Sequence, residues 1–190
     1  MSTSIKKLTL VGCCAVALSL GFGPDAQAGG PFGFGKNAST ADIAKIDIDV
    51  MPDGRGAPPG QGTYAEGKKV YAAQCASCHG ADMAKPVKGT GAAPLRGGRG
   101  TLTSGKPKKT VESYWPYAST LFDFTKRAMP FYEPGSMKDN DIYAVVAYIL
   151  AEGGIISKDT VMNAKALANV KMPNRNGFIS DPRPDIFLHE

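Results

Sequence analysis

Apolar positions recur with helical spacing in two widely separated stretches of the chain. In TYAEGKKVYAAQC, residues 63–75, Gly67, Tyr71 and Cys75 follow one another every four positions and share one face of a predicted helix. In SMKDNDIYAVVAYILAEGG, residues 136–154, Ile142, Val145, Val146, Ile149 and Leu150 fall at i, i+3, i+4, i+7 and i+8. That stripe predicts an amphipathic helix lying on a core. Ser136 is its expected N-cap, with Asp139 three residues on as in a capping box, and Gly153 and Gly154 are its expected stop. A glycine inside a helix costs about 1 kcal/mol relative to alanine, so Gly67 predicts close approach by another helix.

Elsewhere the pattern divides the chain. Lys6 and Lys7, an apolar run from Leu8 to about Phe22, and Ala26-Gln27-Ala28 read as an export signal over residues 1–28. The run falls short of the roughly 20 residues a membrane span needs. A lipoprotein signal ending at Cys13, in LVGC, is the alternative. Residues 29–63 read as an extended N-terminal arm rich in Pro and Gly, with one short helix after Ser39. Residues 64–154 read as a mostly α-helical domain and 155–190 as a short helix followed by a C-terminal arm. Its PNRNGFISDPRPD stretch is rich in turn formers, and either packs on the domain or stays disordered until a partner holds it.

Composition sharpens this picture in two ways. A chain 43% hydrophobic and 21% charged is soluble and globular, and its net charge of +5 is scattered, unlike the concentrated basic block of a nucleic-acid binder. Cleavage after Ala28 would remove Cys13 and Cys14. The exported protein would then keep two of its four cysteines, Cys75 and Cys78, in the sequence CASCH beside one of its two histidines, His79. No transmembrane segment would remain.

Three chemistries compete for Cys75, Cys78 and His79. Thioether attachment of a c-type haem uses both thiols on neighbouring vinyl groups and the adjacent histidine as proximal iron ligand. A thioredoxin-like redox pair calls for a βαβ setting, which the pattern does not offer. A zinc site needs more ligands than this chain provides, since the other histidine is His189 near the end. Haem attachment fits best, with one covalent haem c. The iron's other face wants a soft ligand, and Met51, Met83, Met129, Met137, Met162 and Met172 are the candidates. Met129, in RAMPFYEPGS, lies on a loop entering the second helix and is the expected ligand. Met172, also followed by Pro, is the alternative. The Pro94 carbonyl in GAAPLRGG is expected on the second imidazole nitrogen of His79. Arg96, Arg99, Trp115 and Tyr117 are candidate donors to the haem propionates.

Together the Gly67/Tyr71/Cys75 helix, CASCH, the Pro-Leu loop, the Met-Pro loop and the closing helix resemble class I c-type cytochromes. GGRGTL (97–102), SYWPYASTLFDFTKRAMPF (113–131), VKMPNRNGFISDPRPD (170–185) and STADIAKIDIDVMPDGRG (39–56) are similar to a narrower group. That group is the SoxD- or SorB-like cytochrome subunit of periplasmic sulfite or sulfane (sulfur) dehydrogenases. Some SoxD proteins carry two haems, whereas this chain has a single C-x-x-C-H. The resemblance implies a class I cytochrome c fold with two arms, and a periplasmic electron carrier that is no catalyst by itself. It also implies a molybdenum-containing sulfite or sulfane dehydrogenase as electron donor, and a downstream cytochrome or oxidase as acceptor. A generic periplasmic shuttle to a terminal oxidase, or a haem enzyme or sensor with an open distal site, are the alternatives.

Overall fold

The computed structural model describes residues 34–180. It forms two compact units, one running through Lys45 and the other beginning at Ile46. The described part of the first unit is exposed at every residue. Helix α1 (Thr40–Ile46) starts after Ser39, where the sequence places a short helix. The Ser39 hydroxyl accepts from the Asp42 amide at 3.2 Å and donates to the Asp42 carboxylate at 2.7 Å. A helix this short is marginal without such caps.

The second unit contains β1 (Gln61–Gly62), α2 (Tyr64–Gln74), α3 (Ala76–His79), α4 (Ala118–Ala128), α5 (Asp139–Glu152), β2 (Met162–Asn163) and α6 (Ala164–Asn169). It is mostly helical, as expected, with long loops between α3 and α4. Helix α2 opens on a capping box in which Thr63 and Glu66 satisfy each other's backbone amides. It crosses α5 at Gly67, where a Cβ would sit only 1.8 Å from the Ala144 carbonyl oxygen. Only a residue without a side chain lets the two backbones meet there, so the close approach expected at Gly67 is found.

Helix α5 departs from its predicted pattern. Every residue from Ile142 to Ala151 is buried, not one stripe alone. The faces away from α2 are covered by α4, by the β1–β2 pair and by the C-terminal stretch. Strands β1 and β2 pair antiparallel, with Gln61 opposite Asn163 and Gly62 opposite Met162. Leu167, Val170 and Met172 enter the same core as Tyr71, Phe122 and Tyr143. A helix enclosed on all sides has no solvent face to keep polar.

The start of α5 also differs. Its N-cap is Lys138, not Ser136, and no side chain caps it. The Ser136 amide closes a turn on the Glu133 carbonyl at 3.3 Å, and Gly135 has φ 78°, so the chain is still turning at that point. Asp139 instead pairs with Lys126 of α4 at 2.7 Å, while its charge sits favourably in the first turn of α5. The stop is as expected. Gly154, at φ 63°, donates to the Ala151 carbonyl and Ile155 donates to Leu150, the paired bonds of a Schellman motif.

Candidate functional site

Cys75 sits where α2 gives way to α3. Its amide still donates to the Tyr71 carbonyl at 2.9 Å, while its own carbonyl accepts from Cys78 and His79 at 3.1 and 2.9 Å. One residue thus ends a helix and starts a single new turn, which puts Cys78 and His79 one turn beyond the first thiol. Gly80 ends that turn at φ 76°, and a Cβ there would lie 2.2 Å from the Lys85 carbonyl oxygen. The buried Tyr71 hydroxyl donates to the Gly80 carbonyl at 2.7 Å. Burial raises the Tyr71 phenol far above its ordinary pKa, so it remains a donor. Burial, with the neighbouring Cys78 adding to it, also pushes the Cys75 thiol up to about 11.

His79 Nδ1 lies 2.9 Å from the carbonyl oxygen of Ala93. A carbonyl only accepts, so this bond keeps the proton on Nδ1 and leaves the Nε2 lone pair available to a metal. The carbonyl expected in this role was that of Pro94, one residue later. Its predecessor does the work because the loop is anchored just beyond Pro94: Leu95 and Arg96 both donate to the Met83 carbonyl, at 2.8 and 3.1 Å. That fixes the loop with Ala93, not Pro94, facing the imidazole. Met83 itself is buried and holds φ 60°, a strained conformation for a side-chain-bearing residue.

Met129 is the C-cap of α4, with its amide bonded to the Thr125 carbonyl. Met172 lies in the buried core with Val170 and Leu167. Trp115 and Tyr117 precede α4. The Trp115 ring meets Phe124 edge-on at 5.8 Å, and the Arg175 guanidinium lies over the Tyr117 ring at 5.3 Å. Arg96 and Arg99, the other candidate propionate donors, each pair with a carboxylate. Arg99 pairs with Glu112 at 2.8 Å and donates to the Gly153 carbonyl, and Arg96 reaches Glu152 at 3.5 Å. Together with Lys158 they line a cleft of about 410 Å³ at the C-terminal end of α5, with no residue of the thiol–imidazole segment in its wall. The carboxylates and open carbonyls at that helix end draw both guanidinium groups.

Comparison with known proteins bears on the family and the fold. The family model for cytochrome c matches residues 64–152. The crystal structure of the sulfane dehydrogenase SoxCD from Paracoccus pantotrophus is similar over 84% of this chain and 79% of that one, at 37% identity and a TM-score of 0.72. A thiosulfate dehydrogenase of Stutzerimonas stutzeri (strain A1501) is 33% identical over 93 residues. That match takes in 48% of this chain but only 28% of the length of the enzyme. The chain belongs to the cytochrome c family, with the class I fold, and is related to a subunit of a dehydrogenase complex.

Membership implies a covalently bound haem c, and the residues present fit one. The Cys75 and Cys78 thiols and an imidazole with a fixed tautomer are donors of the kind that haem attachment and ligation require. Cys75, Cys78, His79, Leu95, Trp115 and Met129 are all only partly buried, whereas the residues of the α2–α5 core are nearly inaccessible. Apolar and ligating side chains left half covered are what a site shaped around a large flat ring should present.

Proposed function

We propose that this chain is a periplasmic mono-haem c-type cytochrome, the electron-accepting subunit of a molybdenum sulfite or sulfane dehydrogenase in sulfur-compound oxidation. The observation that carries the reading is the likeness to SoxCD, which extends well beyond the 64–152 cytochrome match into the flanking segments. In this reading Cys75 and Cys78 would hold one haem covalently, and His79 Nε2 and the Met129 sulfur would ligate its iron. Trp115 and Tyr117 remain candidates for the propionate side. The haem supplies a one-electron couple, which histidine and methionine ligation places at high potential.

The chain's own residues do the rest. The Ala93 carbonyl orients the imidazole and strengthens it as a donor. Tyr71 and Met83 lock the segments that carry it. The α2–α5 crossing keeps the attachment helix rigid, which limits rearrangement when the charge at the site changes. With His79 and Met129 both ligating it, the iron would have no open position for a substrate, and the chain would carry electrons and catalyse nothing alone. Electrons then pass to a downstream cytochrome or oxidase.

Rapid mixing of the oxidised protein with a sulfite or sulfane dehydrogenase and its substrate tests the partner. Reduction at the haem absorption bands is expected. No reduction at any ionic strength would leave a generic periplasmic shuttle. The ligand is tested in the same preparation: the weak near-infrared band of methionine–iron coordination should vanish in Met129→Ala and persist in Met172→Ala.

A further inference from the structure

Met129 is followed by a loop with few ties to the rest of the protein. Residues 131–136 are all exposed, and Phe131 is 83% exposed. Two of its hydrogen bonds are local turns, from the Glu133 amide to the Pro130 carbonyl and from the Ser136 amide to the Glu133 carbonyl. Among the described residues, one hydrogen bond leaves this loop. The Tyr132 hydroxyl donates to the Gln74 side-chain oxygen at 2.8 Å, across 58 positions of sequence.

Both ends of that bond are placed for a purpose. Gln74 is the last residue of α2 and immediately precedes Cys75. Tyr132 lies three residues beyond Met129, the C-cap of α4. The bond therefore joins the segment that carries the thiols and imidazole to the segment that carries the thioether. The Tyr132 ring is 66% exposed and makes little of a packing anchor, so its hydroxyl is what holds it down. We propose that Tyr132 and Gln74 form a latch that keeps the Met129 loop closed over the site, making both of them positioning residues for methionine ligation. The inference rests on the assignment of Met129 as an axial ligand.

The geometry has a kinetic consequence. A foreign ligand such as imidazole can bind the oxidised iron only after the Met129 sulfur withdraws, which requires the loop to open. An exposed neutral hydrogen bond contributes modestly, so its loss should raise the opening equilibrium about two- to tenfold. Opening of a small exposed loop lies at the low-stability end of a protein's motions and leaves the global fold unchanged.

The test is the rate of imidazole binding to the oxidised holoprotein, followed through loss of the near-infrared methionine band. Tyr132→Phe keeps the ring and should speed binding about two- to tenfold, with an unchanged unfolding midpoint by far-ultraviolet circular dichroism. Gln74→Ala should do the same, and the double variant should add nothing further. Gln74→Glu, which keeps an oxygen acceptor, should restore the slow rate. Faster hydrogen exchange at the loop amides should accompany the single variants. Wild-type rates in Tyr132→Phe, with the band present, would overturn the latch and leave the ligand assignment standing. Absence of the band from the wild type would overturn the ligand assignment and the latch with it.

Discussion

At the α2–α5 crossing ten consecutive residues, Ile142–Ala151, are buried and a glycine lets two backbones touch. Cys75, Cys78, His79, Leu95, Trp115 and Met129, by contrast, each stay partly exposed. The first region completes itself. Its aromatic rings, Tyr64 and Tyr71 against Tyr148 at 5.1 and 5.4 Å and Phe122 against Tyr143 at 4.5 Å, interlock without help. The segments that carry the second set are tied by single backbone bonds, such as Leu95 to Met83 and Val87 to Cys78. Apolar surface contributes about 25 cal/mol per Å² when covered, so a ring seated there stabilises the second region far more than the first.

Removing the attachment points should break that comparison most visibly. Cys75→Ala with Cys78→Ala should abolish covalent haem, read by mass spectrometry. Hydrogen exchange should then show loss of protection from about residue 76 to 117 and around Met129. In so small a domain the haem forms much of the interior, so the global stability should fall sharply as well. A haem-free variant that stays folded, with those loops as protected as in the wild type, would mean that the two regions do not differ in the way their burial implies.

Much of the first region was legible in the sequence because periodicity and glycine placement report helix contacts directly. The haem-attachment reading came chiefly from CASCH, because the redox-pair and zinc readings lack the βαβ setting and the further ligands they need. What escaped was set by tertiary context. Burial on every side of α5 depends on the 155–172 segment returning to cover it, which no stripe in α5 itself announces. The choice of Ala93 over Pro94 depends on a turn anchored at Met83, whose positive φ carries no sequence signal in a non-glycine residue. The pairing of Arg96 with Glu152 and of Arg99 with Glu112 joins residues distant in sequence, which no local pattern announces.

A smaller effect should come from within the self-completing region. Gly67→Ala places a methyl group 1.8 Å from the Ala144 oxygen, and the helices must part to admit it. Forcing atoms into a closed contact costs roughly 1–3 kcal/mol, and this one belongs at the upper end because backbone stands in the way. Urea unfolding of the holoprotein measures it. The near-infrared band should be unaffected in the folded fraction, which separates damage to the crossing from damage to the site. A variant as stable as the wild type would show the crossing to be looser than the α2 and α5 backbones suggest.

The smallest expected effect concerns pH, at the end of α5 remote from the thiols. Glu152 accepts a hydrogen bond from Tyr64 at 2.7 Å and pairs with Lys158 at 3.3 Å and Arg96 at 3.5 Å. The Tyr64 bond, then Lys158 and Arg96, hold its carboxyl below the ordinary 4.5, against the opposing pull of burial. A carboxylate whose folded pKa is depressed adds stability that is present above its unfolded pKa. That stability is lost as pH falls through the folded value, because the unfolded chain takes up the proton first. The contribution should therefore be full at neutral pH and fade below about pH 4.5. Glu152→Gln should lower stability by less than about 1 kcal/mol at pH 7, since the ion pairs are partly exposed. The gap between variant and wild type should close in acid, where both side chains are neutral. Urea midpoints for the two proteins at neutral and acid pH decide it: a gap that stays constant would assign the loss to packing against Tyr64 instead of to the charge. The methionine band should be unchanged throughout, because this cluster buttresses only the region that closes without the haem.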